Sequence, residues 1–83
     1  MAVFVEIAVM DHRQDEKIIK DFGENLKKIR MDKGLSIRQL ADIADLNFGN
    51  IGDIELGKVN PSLTTIVAIA MALGVDRAEL LSF

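Results

Sequence analysis

The spacing of apolar residues changes near the fifteenth position of the chain. From Ala2 to Met10, β-branched residues occupy every second position, which is typical of a strand with one buried face; these residues are Val3, Val5, Ile7 and Val9. From about Asp15 onward, apolar residues recur at intervals of three and four, as on the buried face of a helix. The pattern therefore predicts an N-terminal β-strand followed by a helical domain.

A single strand leaves its backbone donors and acceptors unpaired, so it needs a partner. Because no other segment has the alternating pattern, the simplest partner is the same strand of a second subunit. The alternative is a frayed or swapped N-terminal arm. We accordingly divide the chain into an arm, residues 1–15, with a possible role in dimerisation, and a helical domain, residues 16–83.

The first and longest helix is predicted from about Asp15 to Lys33, after a polar turn at Asp11–Asp15. Gly34 supplies its C-terminal stop, and Gly23 inside it indicates a kink or a true start near Asp21. Its predicted inner face consists of Ile18, Ile19, Phe22, Leu26 and Ile29.

Small polar residues and glycines mark the ends of four shorter helices. Two capping-box pairs open the second and fifth helices, single N-cap residues open the third and fourth, and glycines end the third and fourth. In chain order these residues are Ser36 with Gln39, Asn47, Gly57, Ser62, Gly74, and Asp76 with Glu79. The predicted inner face of the fourth helix is Leu63, Ile66, Val67, Ala70 and Leu73.

Composition bounds the function without defining it. Eighty-three residues allow one modest core, and the absence of cysteine, which excludes disulfides and thiolate sites, suits a reducing cytoplasm. The net charge is −3, but the acidic excess lies mostly in the first 23 residues. From Glu24 to Lys58 six basic residues balance six acidic ones, so the central region is neutral. This distribution permits nucleic-acid binding but does not predict it.

Enzymatic chemistry and membrane insertion are both disfavoured. The one histidine, His12, stands in a polar segment, and no Ser/His/Asp set or metal-ligand cluster can be assembled around it. The opening residues carry Glu6 and no basic leader, which is a poor signal peptide. The apolar run Ile66–Val75 has about half of the ~20 residues that a membrane span needs.

From about Leu26 to Leu81 the chain resembles the Cro/CI (XRE-type) helix-turn-helix family. The agreement extends over about two-thirds of the chain and involves many offsets at once. The matching residues are Arg30, Gly34-Leu35-Ser36, Leu40-Ala41, Ile51, Ile54-Glu55, Gly57-Lys58, Asn60-Pro61-Ser62-Leu63 and Leu73-Gly74-Val75. The resemblance implies an all-α, five-helix, lambda-repressor-like domain, to which this chain adds its N-terminal strand.

The resemblance also implies roles for particular residues. The third helix of such domains lies in the DNA major groove, which implies that Phe48, Gly49, Gly52 and Asp53 face base edges. It implies that phosphates are held by Arg38, Gln39, Asn50 and Lys58, and that Arg30 and Glu55 form a structural ion pair. No cofactor is implied.

The resulting hypothesis is a cytoplasmic, sequence-specific transcriptional regulator that binds double-stranded DNA as a homodimer on a two-fold operator. Its half-sites would lie about 34 Å apart, one helical turn. Two surfaces are candidates for the dimer contact: the strand, through Val3, Val5, Ile7 and Val9, and the end of the chain, through Leu80, Leu81 and Phe83.

A second hypothesis is a protein-interaction module, or an antitoxin-type protein, on a helix-turn-helix frame with weak or lost DNA reading. Good base readers are Arg, Lys, Asn and Gln, whereas the third helix offers only Asn50 and Asp53 as polar groups. Its two glycines, Gly49 and Gly52, suggest either close backbone approach to a partner or relaxed demands on this helix. A toxin-like partner would bind the N-terminal strand.

Overall fold

Five α-helices make up the part of the chain that the structure, a computed structural model, describes, which is residues 12–83. They are α1 (His12–Asp32), α2 (Ile37–Ala44), α3 (Phe48–Glu55), α4 (Leu63–Leu73) and α5 (Arg77–Leu80). Within these residues there is no strand, and the predicted all-α, five-helix domain is confirmed. The predicted strand, with Val3, Val5, Ile7 and Val9, lies outside the described residues.

Helix α1 begins earlier than the apolar pattern indicated. It starts at His12, so the polar turn predicted to extend to Asp15 is wrong, and the expected boundary after residue 15 falls inside a helix. The polar residues there include neither glycine nor proline, and Asp15 in the first turn favours a helix start electrostatically. The helix is also continuous from His12 through Gly23, so the alternative of a true start near Asp21 is wrong.

The ends of the shorter helices follow their capping residues closely. Ser36 and Gln39 form the predicted capping box, with Gln39 N–H to Ser36 Oγ at 3.0 Å and Ser36 N–H to Gln39 Oε1 at 2.8 Å. Ser62 accepts from Thr65 N–H at 3.2 Å at the start of α4, and Gly74 ends that helix at φ +70°. These predictions are confirmed.

The predicted capping box at the start of α5 is wrong. Asp76 occupies the N-cap position, but its side chain makes no capping hydrogen bond. Instead, the backbone carbonyl of Asp76 accepts from Glu79 N–H at 3.0 Å. A helix of four residues is a single turn, and this backbone bond closes it without the side chains.

The core takes apolar residues from all five helices. Its buried members are Phe22, Leu26, Ile29, Leu40, Ala41, Ile51, Ile54, Ile69, Ala70, Leu73 and Leu80. Two predicted core positions are wrong: Ile18 is 47% exposed and Leu63 is 74% exposed. Ile18 precedes the first buried residue of α1 by one turn, and Leu63 is the first residue of α4, so both lie beyond the packed section of their helices.

The C-terminal residues proposed for dimerisation do not share one environment. Leu80 is fully buried, so its assignment as an intersubunit contact is wrong, because the core of its own subunit covers the side chain. Leu81 and Phe83 are about half exposed. The ring of Phe83 packs edge-to-face on Phe22, with centroids 6.3 Å apart.

Glycines allow α1 to cross the C-terminal end of α3 at close range. A Cβ atom on Gly23 would lie 2.7 Å from the carbonyl oxygen of Glu55 and would also overlap that of Ile54. Gly57, at φ +73° just after α3, brings its backbone against Lys20 of α1. This close crossing sets the orientation of α3 relative to α1.

Candidate nucleic-acid interface

Helices α2 and α3 are joined by a turn of three residues, Asp45 to Asn47. Asp45 adopts the left-handed conformation at φ 57°, which aspartate tolerates better than most residues. The N–H of Leu46 then donates to the carbonyl of Ala41 at 2.8 Å, closing the end of α2. The turn thus places the start of α3 beside α2 as a helix-turn-helix unit.

The start of α3 depends on its cap. The Asn47 side-chain oxygen accepts from the N–H groups of Gly49 at 2.8 Å and Asn50 at 3.3 Å. Gly49 and Gly52 each cost a helix interior about 1 kcal/mol relative to alanine. Asn47 and the burial of Ile51 and Ile54 offset that cost.

One face of α3 is buried and the other lines an open groove of about 610 Å³. Ile51, Ile54 and Glu55 point into the core. The predicted base-facing residues all line the groove, together with the start of α2; they are Phe48, Gly49, Gly52 and Asp53. The structure therefore gathers them on one surface, even though Gly52 is partly buried.

The predicted phosphate-binding residues are less closely grouped. Arg38 lines the groove, whereas Gln39, Asn50 and Lys58 are exposed outside it. The side-chain oxygen of Gln39 accepts the capping-box hydrogen bond from Ser36 N–H, so the NH2 group of the same side chain is left to donate. Lys58 follows the end of α3, where its own N–H donates to the carbonyl of Asp53 at 2.9 Å.

A contact between Arg38 and Phe48 was not predicted. The Arg38 guanidinium carbon lies over the Phe48 ring, 4.6 Å from its centroid. Arg38 is the second residue of α2 and Phe48 is the first residue of α3. Ten positions separate them in sequence, and only the geometry of the turn brings them together.

Arg30 and Glu55 fix α1 to the buried face of α3. Arg30 Nε donates to Glu55 Oε2 at 2.6 Å and Nη2 to Oε1 at 3.0 Å, while Nη1 donates to the carbonyl of Leu35 at 2.7 Å. The hydrogen bond to Glu55 raises the pKa of Arg30 above its ordinary value, although desolvation acts against it. Arg30 therefore stays charged, and its contact with Glu55 holds α1 against the buried face of α3.

Sequence reasoning also missed Asn25. Its side-chain amide donates to the carbonyl of Leu80 at 2.8 Å and to that of Glu79 at 3.1 Å. Asparagine on a helix face gives no signal of a distant partner, because its two donors suit any free carbonyl. These two hydrogen bonds hold α5 against α1.

Other kinds of site find little support in residues 12–83. No group of three His, Asp or Glu side chains there is placed to hold a metal ion. None of the five helices has the length and apolar character that crossing a bilayer requires.

Residues 26–80 match the helix-turn-helix family. The chain belongs to that family. Its resemblance to XRE-type helix-turn-helix proteins is thereby confirmed, and the family is one of DNA-binding transcriptional regulators rather than a class of enzymes.

Two curated relatives share much of this domain. The SPbeta prophage-derived uncharacterized HTH-type transcriptional regulator YonR of Bacillus subtilis is 40% identical over 60 residues, which are 72% of this chain and 56% of YonR. The control protein C.BamHI of Bacillus amyloliquefaciens is 43% identical over 63 residues, which are 75% of this chain and 78% of C.BamHI. The chain thus spans only about half the length of some of the curated relatives it matches.

Among solved structures, the restriction-modification controller protein C.AhdI of Aeromonas hydrophila has the same fold. It superposes with a TM-score of 0.73 at 38% identity, over 77% of this chain and 96% of C.AhdI.

Proposed function

We propose that this chain is a DNA-binding transcriptional regulator that presents α3 to the major groove. The observation that supports this most directly is the exposed face of α3, where Phe48, Gly49, Gly52 and Asp53 line one groove. The buried face of α3 packs against the rest of the domain. The helix therefore has the fixed position that insertion into the DNA major groove requires.

Phosphate contacts would come from both sides of this groove. We assign them to Arg38 and the Gln39 amide at the start of α2, and to Asn50 and Lys58 on and after α3. The N-termini of α2 and α3 add partial positive charge where they meet. These groups supply local attraction that the net charge of −3 does not.

A homodimer on a two-fold operator is the proposed assembly, acting in the cytoplasm. The half-sites would lie about 34 Å apart. Leu81 and Phe83 remain candidates for the dimer contact because they are exposed, and Val3, Val5, Ile7 and Val9 remain candidates from their sequence pattern. Leu80 is excluded by its burial.

The test is selection of bound sequences from random duplexes, followed by titration at low and at physiological salt. We expect an enriched palindrome whose affinity falls as salt rises. Arg38→Ala and Lys58→Ala should each weaken binding and lower the salt slope by about 1. Arg77→Ala is the matched control, because Arg77 is exposed on α5 and lies outside the groove. Equal losses in all three variants would contradict the assignment.

A protein-interaction module is the second candidate function. The groove that would receive DNA also exposes apolar surface, since Phe48 is 51% and Leu56 is 66% exposed. A protein partner of the groove, or a toxin-like partner of the N-terminal segment, would bind with little dependence on salt. Enrichment of no sequence at either salt concentration would favour this candidate.

A further inference from the structure

The contact between Arg38 and Phe48 joins the first turns of the two helices of the helix-turn-helix unit. The guanidinium carbon is 4.6 Å from the ring centroid, within the range of a cation–π contact. Both side chains are exposed, and across residues 12–83 Arg38 forms no ion pair with a carboxylate. The ring is therefore the principal restraint on the guanidinium.

Stacking leaves the hydrogen-bonding capacity of Arg38 intact. A guanidinium contacts an aromatic ring through its flat face, whereas its five N–H donors lie in its plane. When the guanidinium lies flat on a ring, those donors stay free to meet acceptor oxygens. A side chain that is already restrained loses less rotamer freedom when it binds, so the stack prepares Arg38 for a contact with DNA.

The same contact limits what Phe48 can do. An aromatic wedge that enters a base step stacks on the bases through both ring faces. The Arg38 guanidinium covers one face of the Phe48 ring. The Phe48 ring can therefore restrain Arg38, but it cannot at the same time stack on bases through both of its faces.

We propose that Phe48 is a positioning residue that holds Arg38 in the orientation in which it contacts the DNA backbone. This inference rests on the proposed DNA-binding function. It replaces the expectation that Phe48 itself faces a base edge, and it gives a role to an aromatic residue at the first position of α3.

A double-mutant cycle on the selected operator tests the proposal. Phe48→Leu removes the ring and should weaken binding about two- to five-fold, because an unrestrained Arg38 side chain loses more rotamer freedom on binding. Phe48→Tyr keeps the ring and should stay near wild-type affinity. In an Arg38→Ala background, Phe48→Leu should change nothing further. An equal loss from Phe48→Leu in both backgrounds means that the ring contacts DNA by itself, which overturns the proposal.

NMR of the free protein provides a measurement that does not depend on DNA. The Arg38 side-chain protons should be shifted upfield by the ring current, and the shift should persist in Phe48→Tyr and vanish in Phe48→Leu. If the protein binds its operator but shows no such shift, this inference is overturned and the proposed function still stands. Failure to bind any duplex overturns the proposed function, and this inference with it. The melting temperature of each variant verifies that it is folded.

Discussion

Arg30 of α1 donates two parallel hydrogen bonds to Glu55 at the end of α3, and the two residues are each only 8% exposed. A bidentate pair of this kind fixes both distance and angle between the helices. Since Arg30 also donates to the carbonyl of Leu35, it joins α1, the connection to α2, and α3 at one point. The orientation of the exposed face of α3 follows from that junction.

Breaking this pair should be costly. Glu55→Leu leaves the Arg30 charge buried without a partner, and we expect the free energy of unfolding to fall by about 3–5 kcal/mol in urea titrations. The double variant Arg30→Met/Glu55→Leu should recover much of that loss, because no uncompensated charge remains. Because the pKa of Arg30 is raised, the contribution of its charge is fully present below the ordinary arginine pKa and is lost as pH rises through the raised value. A loss below about 1 kcal/mol in the single variant would contradict the structure.

Gly23 should not tolerate even a methyl group. Its Cβ would overlap the carbonyl oxygens of Ile54 and Glu55, which are backbone atoms and cannot rotate away. We expect Gly23→Ala to lower the free energy of unfolding by about 1–3 kcal/mol, despite the higher helix propensity of alanine. Chemical denaturation measures this. A stabilised Gly23→Ala variant would mean that α1 and α3 are further apart than described.

Gly52 should behave in the opposite way. A Cβ atom there meets nothing within 4 Å, so Gly52→Ala should raise the free energy of unfolding by up to about 1 kcal/mol through helix propensity. The same methyl group points into the groove that we propose for DNA, and there it should weaken operator binding. The two effects are separable by denaturation and by titration with the operator. Unchanged affinity in this stabilised variant would show that DNA does not approach the helix backbone at Gly52.

Asn25→Ala should loosen α5 selectively. It removes both side-chain donors to the carbonyls of Glu79 and Leu80, and we expect a loss of about 1 kcal/mol of stability. Amide hydrogen exchange should accelerate in α5 more than in α3. Lys27→Ala, at an exposed position of the same helix, is the matched control and should leave exchange in α5 unchanged.

Local chemistry made the ends of α2, α3 and α4 predictable from sequence. Ser36, Asn47 and Ser62 cap their helices through contacts within three residues, and Gly34 and Gly74 adopt the positive φ that favours glycine. Such contacts depend only on neighbouring residues, so the sequence pattern contains the information.

Long-range contacts could not be predicted in the same way. Asn25 and Leu80 are 55 positions apart. The residues around Gly23 give no sign that the carbonyl oxygens of Ile54 and Glu55 pack against it. The base-facing set comes from a family resemblance and stays a prediction; its members line one groove. The Arg38–Phe48 stack depends on two particular side chains, so the resemblance gave no indication of it.

Helix α3 combines positions whose residue type the fold restricts with positions, such as Gly52, that have open space around them. Positions 51, 54 and 55 are fixed by the core and the ion pair, whereas Gly52 has open space around it and Asp53 is exposed on the groove side. Side chains on that side can be exchanged without repacking the interior. A new sequence preference can therefore arise on this scaffold by single substitutions that do not lower its stability.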